Sequence, residues 1–317
     1  MKRYLPLFVG VAITAAFPVS AQEAKTYPAP SEIVAAAKAD EWVAIAPADL
    51  LVMELAPDSK GQPRRVVIQL IPAPFSQSWV SNIRKLAAAH WWDGTSINRV
   101  QDNYVVQWGD ATEKKAMPKD LAIVPESEYV AKSTKVTIVD GQASGFVRSP
   151  SMNTFKEDAY AAETGFASGF PVGGRWQSRE IWPTHCYAMV GVGRNLSPDT
   201  GSGAELYTVI GHAPRHLDRN IALVGRVIEG IEQLSSLPRG TGALGFYEKE
   251  EERVPILSVR LANEAKDVPS FEYLATDSDS FAAYAEARAN RRDPFFNVPA
   301  GGADICNIPV PIRRKAN

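Results

Sequence analysis

Short apolar runs of strand length recur along most of this chain, and they constrain its fold more than any other feature. Turn-forming residues such as Gly, Pro, Asn and Asp separate many of these runs, a pattern that predicts β-strands. Two helical patterns, at residues 75–89 and 229–237, lie among them. Many short strands with so few helices predict a mainly β domain, and in particular a closed barrel. The predicted strands are residues 50–55, 66–71, 96–100, 104–108, 135–140, 187–191, 205–211, 221–227 and 256–261.

The first residues have the pattern of a cleavable secretory signal. Lys2 and Arg3 precede an apolar run over residues 5–17, and small residues up to Ala21 follow. This pattern predicts that residues 1–21 are removed by cleavage after Ala21. We therefore expect an exported protein, located in the periplasm if the source is Gram-negative. No later run approaches the ~20 apolar residues of a membrane helix, so no membrane insertion is expected after cleavage.

The chain has only two cysteines, Cys186 and Cys306. Export would place them in an oxidising compartment, where a pair can close. We expect a disulfide that joins the C-terminal tail to the body of the protein. The alternative is two separate buried thiols, because sequence alone does not bring two Cα atoms within the ~7 Å that a disulfide requires.

Both ends of the chain extend beyond the predicted strands. Residues 22–49 form an N-terminal extension, in which Ser31 is a suitable N-cap for a short helix over residues 32–39. Residues 263–317 form a C-terminal extension with one predicted helix, over residues 278–292.

The residues between the extensions, 50–262, are predicted to form a single domain. A long segment at about 111–185 separates its strands and is interpreted as an insertion, with a Gly-rich patch at residues 165–174. No motif repeats at the period of a solenoid or a propeller. The prediction is therefore one barrel domain with one insertion and two terminal extensions.

The charge balance argues against nucleic acid as a partner. Thirty-four Lys and Arg residues face thirty-six Asp and Glu residues, for a net charge of −2. The longest basic block is residues 313–315, near the C-terminus. Neither a basic surplus nor a basic stripe is present to neutralise phosphates, so binding to nucleic acid is not expected.

Common catalytic and metal motifs are missing from the sequence. It contains no Gly-x-Ser-x-Gly elbow, no His-Glu-x-x-His, no P-loop and no dinucleotide-binding glycine motif. His212 and His216 have a spacing that would suit a metal on a helix, but Pro214 lies between them and disfavours a helix. No metal site is predicted.

Residues 92–110, with the sequence WDGTSINRVQDNYVVQWGD, are the most informative segment. They resemble the signature of the cyclophilin-type peptidyl-prolyl cis-trans isomerases, in which a Tyr-x-Gly-Thr turn leads to a Phe-His-Arg-Val strand and then to Gly-Phe-x-x-Gln-Gly-Gly-Asp. Residues 188–193, 203–207 and 216–227 resemble three further segments of that family, in the same order. The variant Leu-Asp-Arg-Asn at residues 217–220 is similar to a divergent bacterial exported branch.

The resemblance covers roughly residues 50–261. It implies a closed antiparallel eight-stranded cyclophilin-like barrel, capped by the two predicted helices. The insertion and the N- and C-terminal extensions would be additions to that barrel.

The resemblance also implies roles for individual residues. Arg99 would be the catalytic arginine, with Gln107 as the glutamine beside it. A guanidinium can donate to the nitrogen of a twisted amide and stays charged at all relevant pH values. Glu205, His216 and Ile221 stand where the family has a glutamine, a tryptophan and a histidine, and they count as further substrate-binding residues. The proline pocket would be formed by Tyr104, Val105, Leu206, Tyr207 and Leu217.

Two functions are compatible with this resemblance. The first is a peptidyl-prolyl cis-trans isomerase that acts on X-Pro bonds of proline-containing, unfolded or folding exported polypeptides, with no cofactor. The second is a catalytically weak cyclophilin-like binding or chaperone module for proline-containing partners. The presence of Arg99 favours the first, whereas the pocket substitutions and the long insertion favour the second.

Overall fold

The structure is a computed structural model that describes residues 27–132, 137–139, 142–144, 158–175 and 177–315. The predicted signal lies outside these residues. The helices of the described part are α1 (Pro30–Ala36), α2 (Gln77–Ala88), α3 (Glu232–Ser235) and α4 (Asp279–Ala289). Its strands are β1 (Trp42–Ala44), β2 (Leu50–Leu55), β3 (Arg64–Leu70), β4 (Ser96–Val100), β5 (Val105–Gly109), β6 (Ala131–Lys132), β7 (Thr137–Val139), β8 (Gln142–Ser144), β9 (Glu163–Ala167), β10 (Phe170–Arg175), β11 (Glu180–Pro183), β12 (Met189–Val192), β13 (Leu206–Val209), β14 (Leu223–Glu229), β15 (Val254–Leu261), β16 (Phe271–Leu274) and β17 (Ile312–Arg314).

Eight of these strands close a barrel. The order of hydrogen-bonded neighbours is β12-β13-β5-β4-β15-β2-β3-β14, and β14 pairs with β12 to complete the ring. Every pairing is antiparallel. The prediction of a mainly β fold with a closed eight-stranded barrel is confirmed. Closure satisfies the backbone donors and acceptors that an open sheet would leave at its edges.

Alternation along the strands divides each of them into an inner and an outer face. On β5, Val106 and Trp108 belong to the barrel core, whereas Val105 belongs to a separate apolar cluster on the outside. On β2, Leu51 and Met53 face the same core. The outer face of the barrel therefore keeps side chains that are available to form a site.

Two helices contribute to the barrel core, as predicted. α2 packs Trp79 and Ile83 into the core, which is the apolar stripe that its spacing predicts. α3 contributes Leu234 but is shorter than the predicted helix over residues 229–237. Its start is delayed because β14 continues to Glu229 and Gly230 then turns with a φ of +83°.

The insertion forms its own small sheet in the order β6-β11-β10-β9. Of the predicted strand at residues 135–140, Thr137–Val139 forms β7 and the rest lies outside the described residues. The Gly-rich patch is the β9–β10 hairpin, and its glycines allow aromatic rings to approach the backbone. A Cβ on Gly169 would lie 2.5 Å from the Tyr273 ring, and one on Gly173 would lie 2.7 Å from Trp182 Nε1.

The two terminal extensions pack on each other. β1 pairs with β16, and β16 pairs with β17. This sheet covers a second apolar core, separate from the barrel core, that also takes up one side chain of the insertion. The largest members of this core are Trp42, Phe166, Leu274, Phe281 and Tyr284.

The two predicted helices of the extensions are present, with different ends. Ser278 caps α4 by accepting from the Phe281 N–H at 3.1 Å. The prediction that Ser31 is the N-cap of α1 is wrong, because the helix begins at Pro30, a residue whose fixed φ suits a first turn. The Glu32 carboxylate instead accepts from the Ala29 N–H at 2.7 Å.

A disulfide joins the extensions to the barrel. Cys186, which lies between the insertion and β12, is bonded to Cys306 in the C-terminal extension, with the Cα atoms 5.0 Å apart. Of the two alternatives that the sequence left open, the structure contains the bonded pair.

No helix in the described part of the chain has the length and apolar character needed to cross a membrane.

Candidate active site

The candidate site lies on the outer face of the barrel, where β4, β5 and β13 are neighbours. A β-bulge in β4 places Arg99 there. Ile97 and Val100 both belong to the barrel core, although strict alternation would put residues three apart on opposite faces. The register shifts between Ile97 and Arg99, so Asn98 is the extra residue. This bulge turns Arg99 outward, opposite Gln107 of β5.

A cavity opens beside Arg99. Its volume is about 110 Å³, several times the ~10–15 Å³ that one water needs, so it has room for a small ring. The described residues that line it are Arg99, Tyr104, Val105, Gln107, Gly193, Arg194, Tyr207, Leu217 and Ile221.

Three acceptors hold the Arg99 guanidinium. Nε donates to the Leu244 carbonyl oxygen at 2.7 Å, and Nη1 donates to Gln107 Oε1 at 3.1 Å. Nη2 donates to Gln101 Oε1. Because a guanidinium has five N–H groups, one on each Nη atom is left without a bond to any described residue.

The charge of Arg99 is not compensated by a carboxylate in the described part of the chain. Aromatic rings flank it instead, with Cζ 5.7 Å from the Tyr104 ring centroid and 5.4 Å from that of Phe246. Burial lowers the pKa of Arg99 from its usual value, and the Tyr104 hydroxyl opposes this shift. The guanidinium stays protonated at physiological pH because its usual pKa is so high.

Apolar side chains form the rest of the cavity. Val105 and Tyr207 pack together with Val209 on the outside of β5 and β13, and Tyr104 and Ile221 pack against them. Leu217 completes the lining from the loop before β14. Such a surface suits a small saturated ring, and the charged groups among its described residues are Arg99 and Arg194.

A buried chain of hydrogen bonds fixes Tyr207 from behind. The Tyr207 hydroxyl lies 2.8 Å from His185 Nε2, and His185 Nδ1 lies 2.9 Å from Asp218 Oδ1. A carboxylate can only accept, so Nδ1 carries the proton and the Tyr207 hydroxyl donates to Nε2. Burial lowers the pKa of His185, which keeps the imidazole neutral, and burial raises the pKa of Tyr207 well above its usual value.

This series of hydrogen bonds ends in two ion pairs of Arg215. Arg215 Nε donates to Asp218 Oδ2 at 2.6 Å, and the two Nη atoms of Arg215 donate to the carboxylate of Asp158 at 2.9 and 3.1 Å. Asp158 belongs to the insertion. One wall of the cavity is therefore tied to the insertion through a continuous polar network.

Three of the predicted substrate-binding residues do not line the cavity. Leu206 points into the barrel core, since it alternates with Tyr207 along β13. Glu205 lies behind Gln107, with its carboxyl packed over the backbone of Gly109. His216 is exposed and stacks on Tyr104 with the ring centroids 6.5 Å apart, at the rim.

Several residues around Arg99 were missed by the sequence analysis. Gln101 had a usable signal, because it lies two positions after Arg99 and so shares its face. Gly193 also had a signal, because it belongs to residues 188–193, which resemble a segment of the family. Arg194 lies just outside that segment and had none. Leu244 and Phe246 come from a loop about 145 positions further along the chain, so no local pattern links them to Arg99.

In the described residues there is no group of three or more His, Cys, Asp or Glu side chains that could hold a metal ion. The arrangement of the lining residues offers hydrogen bonds from a guanidinium next to an apolar cavity.

Comparison with known proteins identifies one matching family. Residues 60–261, just under two thirds of the chain, match the family model of the cyclophilin-type peptidyl-prolyl cis-trans isomerases. No curated protein matches the sequence.

Matches among solved structures include crystal structures from two organisms. The crystal structure of cyclophilin AquaCyp293 from Hirschia baltica has a TM-score of 0.61 and 22% sequence identity, and the match covers 87% of this chain and 95% of that chain. The similarity in fold therefore extends beyond residues 60–261. A Cryptosporidium parvum cyclophilin-type isomerase crystallised with the dipeptide ala-pro has 10% identity and a TM-score of 0.37, over 66% of this chain and 98% of that chain.

Proposed function

This chain belongs to the cyclophilin-type peptidyl-prolyl cis-trans isomerase family, and we propose that it isomerises X-Pro bonds of exported polypeptides with Arg99 as the catalytic residue. Isomerase activity and the cyclophilin fold come with family membership. The role of Arg99 and the class of substrate are the proposed parts.

The reaction is a rotation and breaks no covalent bond. Resonance between the amide nitrogen and the carbonyl creates a barrier of ~18–20 kcal/mol. In the twisted transition state the prolyl nitrogen regains its lone pair and can accept a hydrogen bond, which the planar ground state does not offer. A donor aimed at that nitrogen therefore stabilises the transition state selectively.

The observation that carries the proposal is the state of the Arg99 guanidinium. Three acceptors fix its plane, and one N–H on each Nη atom has no partner in the described residues. Both of these donors belong to a side chain that lines the cavity. Partial burial excludes some of the competing water, which makes a charged donor more effective.

The cavity supports the proposal from the substrate side. A prolyl ring packed on Val105, Tyr207 and Leu217 would present its amide nitrogen to the neighbouring guanidinium. The Tyr207 hydroxyl is already used by His185, so the ring of Tyr207 meets the substrate as an apolar wall.

Exported substrates are supported by two features of the chain. The first 21 residues have the pattern of a secretory signal. The disulfide between Cys186 and Cys306 suits an oxidising compartment.

The decisive experiment compares wild type with Arg99→Ala in the isomerisation of a short Ala-Pro peptide. We expect kcat/KM to fall by on the order of 10²-fold, which corresponds to about 2.7 kcal/mol of barrier. Arg84→Ala is a matched control, because Arg84 lies on α2 and pairs with Asp49, away from the site. A variant Arg99→Ala that stays folded and keeps its rate within a few-fold would exclude the arginine mechanism.

Export is tested on the protein recovered from its source cells. A mature chain that begins at Gln22 in an extracytoplasmic fraction is expected. A cytoplasmic chain that begins at Met1 would contradict the proposed substrate class.

A further inference from the structure

Glu205 occupies a space that two glycines leave open. A Cβ on Gly109 would lie 1.9 Å from Glu205 Oε1, and a Cβ on Gly193 would lie 3.0 Å from Glu205 Cβ. Any side chain at Gly109 would therefore displace the carboxyl. The carboxyl is packed into the structure next to the active site without lining the cavity itself.

The carboxyl contacts both strands that carry the proposed catalytic pair. It accepts hydrogen bonds from the side chains of Gln107 on β5 and Asn98 on β4, and from the Asp110 N–H. Asn98 is the residue whose bulge turns Arg99 outward. Glu205 is therefore bonded to two of the residues that position Arg99.

The orientation of the Gln107 amide depends on its two neighbours. Its Oε1 accepts from Arg99 Nη1 at 3.1 Å, and its Nε2 is then the atom that can donate to Glu205. An ionised carboxylate has no proton and accepts only, so it selects this orientation. A protonated carboxyl can donate, and it is compatible with a flipped amide that would present Nε2 to the guanidinium, where two donors repel.

We propose that Glu205 is a positioning residue for Arg99, because its ionised carboxyl holds the Gln107 amide with Oε1 towards the guanidinium and its protonation releases that orientation. The inference rests on the proposed role of Arg99. It also gives a meaning to the glutamate at this position, where the family has a glutamine: the hydrogen-bonding groups of a glutamine do not change with pH, whereas a carboxyl is restricted to accepting only when it has lost its proton.

The surroundings place this change close to neutral pH. Burial raises the pKa of Glu205 to about 7, although the hydrogen bonds from Asp110, Gln107 and Asn98 lower it. The nearby Asp110 carboxylate adds to the rise. The cations nearby are Arg99, beyond the Gln107 amide, and Arg194, which follows Gly193 and lines the cavity. Isomerisation by itself transfers no proton, so a pH dependence near 7 points to a group of this kind.

The test measures kcat/KM for an uncharged Ala-Pro peptide from pH 5.5 to 8.5 with wild type, Glu205→Gln and Asp110→Asn. We expect the wild-type value to rise about threefold or more through pH 7 and the value of E205Q to be independent of pH. D110N should keep the rise but shift it to lower pH, because it removes a charge that raises the Glu205 pKa. An E205Q profile that follows the wild type, or a flat wild-type profile, would overturn the inference.

A second measurement does not depend on catalysis. The side-chain amide signals of Gln107 in NMR spectra should titrate near pH 7 in wild type and should not titrate in E205Q. If they titrate but Arg99→Ala keeps full activity, the proposed function is wrong and the link between Glu205 and Gln107 stands. If Arg99→Ala is inactive but the signals do not titrate, the inference about Glu205 fails alone.

Discussion

Arg99 lines the cavity and is half-buried, whereas Arg215 is buried behind the Tyr207 wall of the same cavity. The groups that accept hydrogen bonds from the two guanidiniums are of different kinds. Arg215 is surrounded by carboxylates, from Asp158 and Asp218, and these ion pairs raise its pKa despite burial. Arg99 is held by two side-chain amides and a carbonyl, and burial lowers its pKa. The first arrangement compensates the charge, and the second leaves it available.

The difference shows how one residue type serves structure and catalysis. A buried arginine paired with carboxylates is costly to break, and its charge is already compensated, so its remaining N–H groups attract a ligand less strongly. Neutral acceptors fix the plane of a guanidinium without neutralising it. The Arg99 side of the cavity is therefore organised for a transition state and the Arg215 side for rigidity.

The largest effect is expected on the Arg215 side. Asp218→Asn removes a charge that Arg215 and His185 both use in a buried site, and we expect it to lower the free energy of unfolding by ~3–5 kcal/mol. Urea unfolding measures this. Asp102→Asn is the control, since Asp102 pairs with Arg239 at the exposed surface and should have little effect. Equal effects of the two variants would break the comparison.

The next largest effect is expected for Arg99→Lys. A lysine keeps the charge but loses the planar fork, so it cannot hold Gln107 and the Leu244 carbonyl while it donates to substrate. We expect a fall in kcat/KM on the order of 10²-fold, or about 2.7 kcal/mol, with an unchanged melting temperature. Arg215→Lys should show the opposite pattern, a lower melting temperature and a smaller loss of rate. Matching patterns would contradict the distinction.

A smaller effect is expected from pH. The folded-state pKa of Glu205 is about 7 instead of the usual 4.5, so the bound proton stabilises the fold below pH 4.5 and this contribution is lost as the pH rises through 7. Wild type should lose on the order of 2 kcal/mol of stability relative to E205Q between pH 4.5 and 8. The lowered pKa of His185 makes stability rise with pH instead. This contribution is the same in wild type and E205Q, so it cancels in the comparison. Parallel curves would show that Glu205 is not the group responsible.

The smallest effect is expected for Tyr207→Phe. It removes the donor to His185 Nε2 and keeps the ring that lines the cavity. We expect a loss of about 1 kcal/mol in stability and a change in kcat/KM of less than about threefold, by thermal unfolding and the peptide assay. A large loss of rate would mean that the hydroxyl takes part in the reaction.

The barrel could be predicted from the sequence because its information is local. Runs such as residues 96–100 and 256–261 have strand length and composition, and the helix over residues 75–89 has an apolar stripe. The neighbouring segments in turn resemble a known family. The disulfide was expected from the cysteine count together with the export signal.

The orientation of individual side chains could not be predicted in the same way. Leu206 and Tyr207 are adjacent and both apolar, and only the pairing of β13 decides which one faces the core. Glu205 was assigned to the substrate side because nothing in the sequence shows that Gly109 makes room behind Gln107. The pairing of β1 with β16 joins residues more than 220 positions apart, which no local pattern records.

The position of β15 has a consequence for synthesis. β15 pairs with β2 on one side and with β4 on the other, so both of those strands keep an unsatisfied edge until the nascent chain reaches Val254. About 150 residues separate the end of β4 from that point, which at ~5–20 residues per second takes roughly 8–30 s. During this interval the half-built ring is a template for pairing with other chains. A peptidyl-prolyl isomerase thus passes through a stage of its own biogenesis in which it depends on being kept apart from its neighbours.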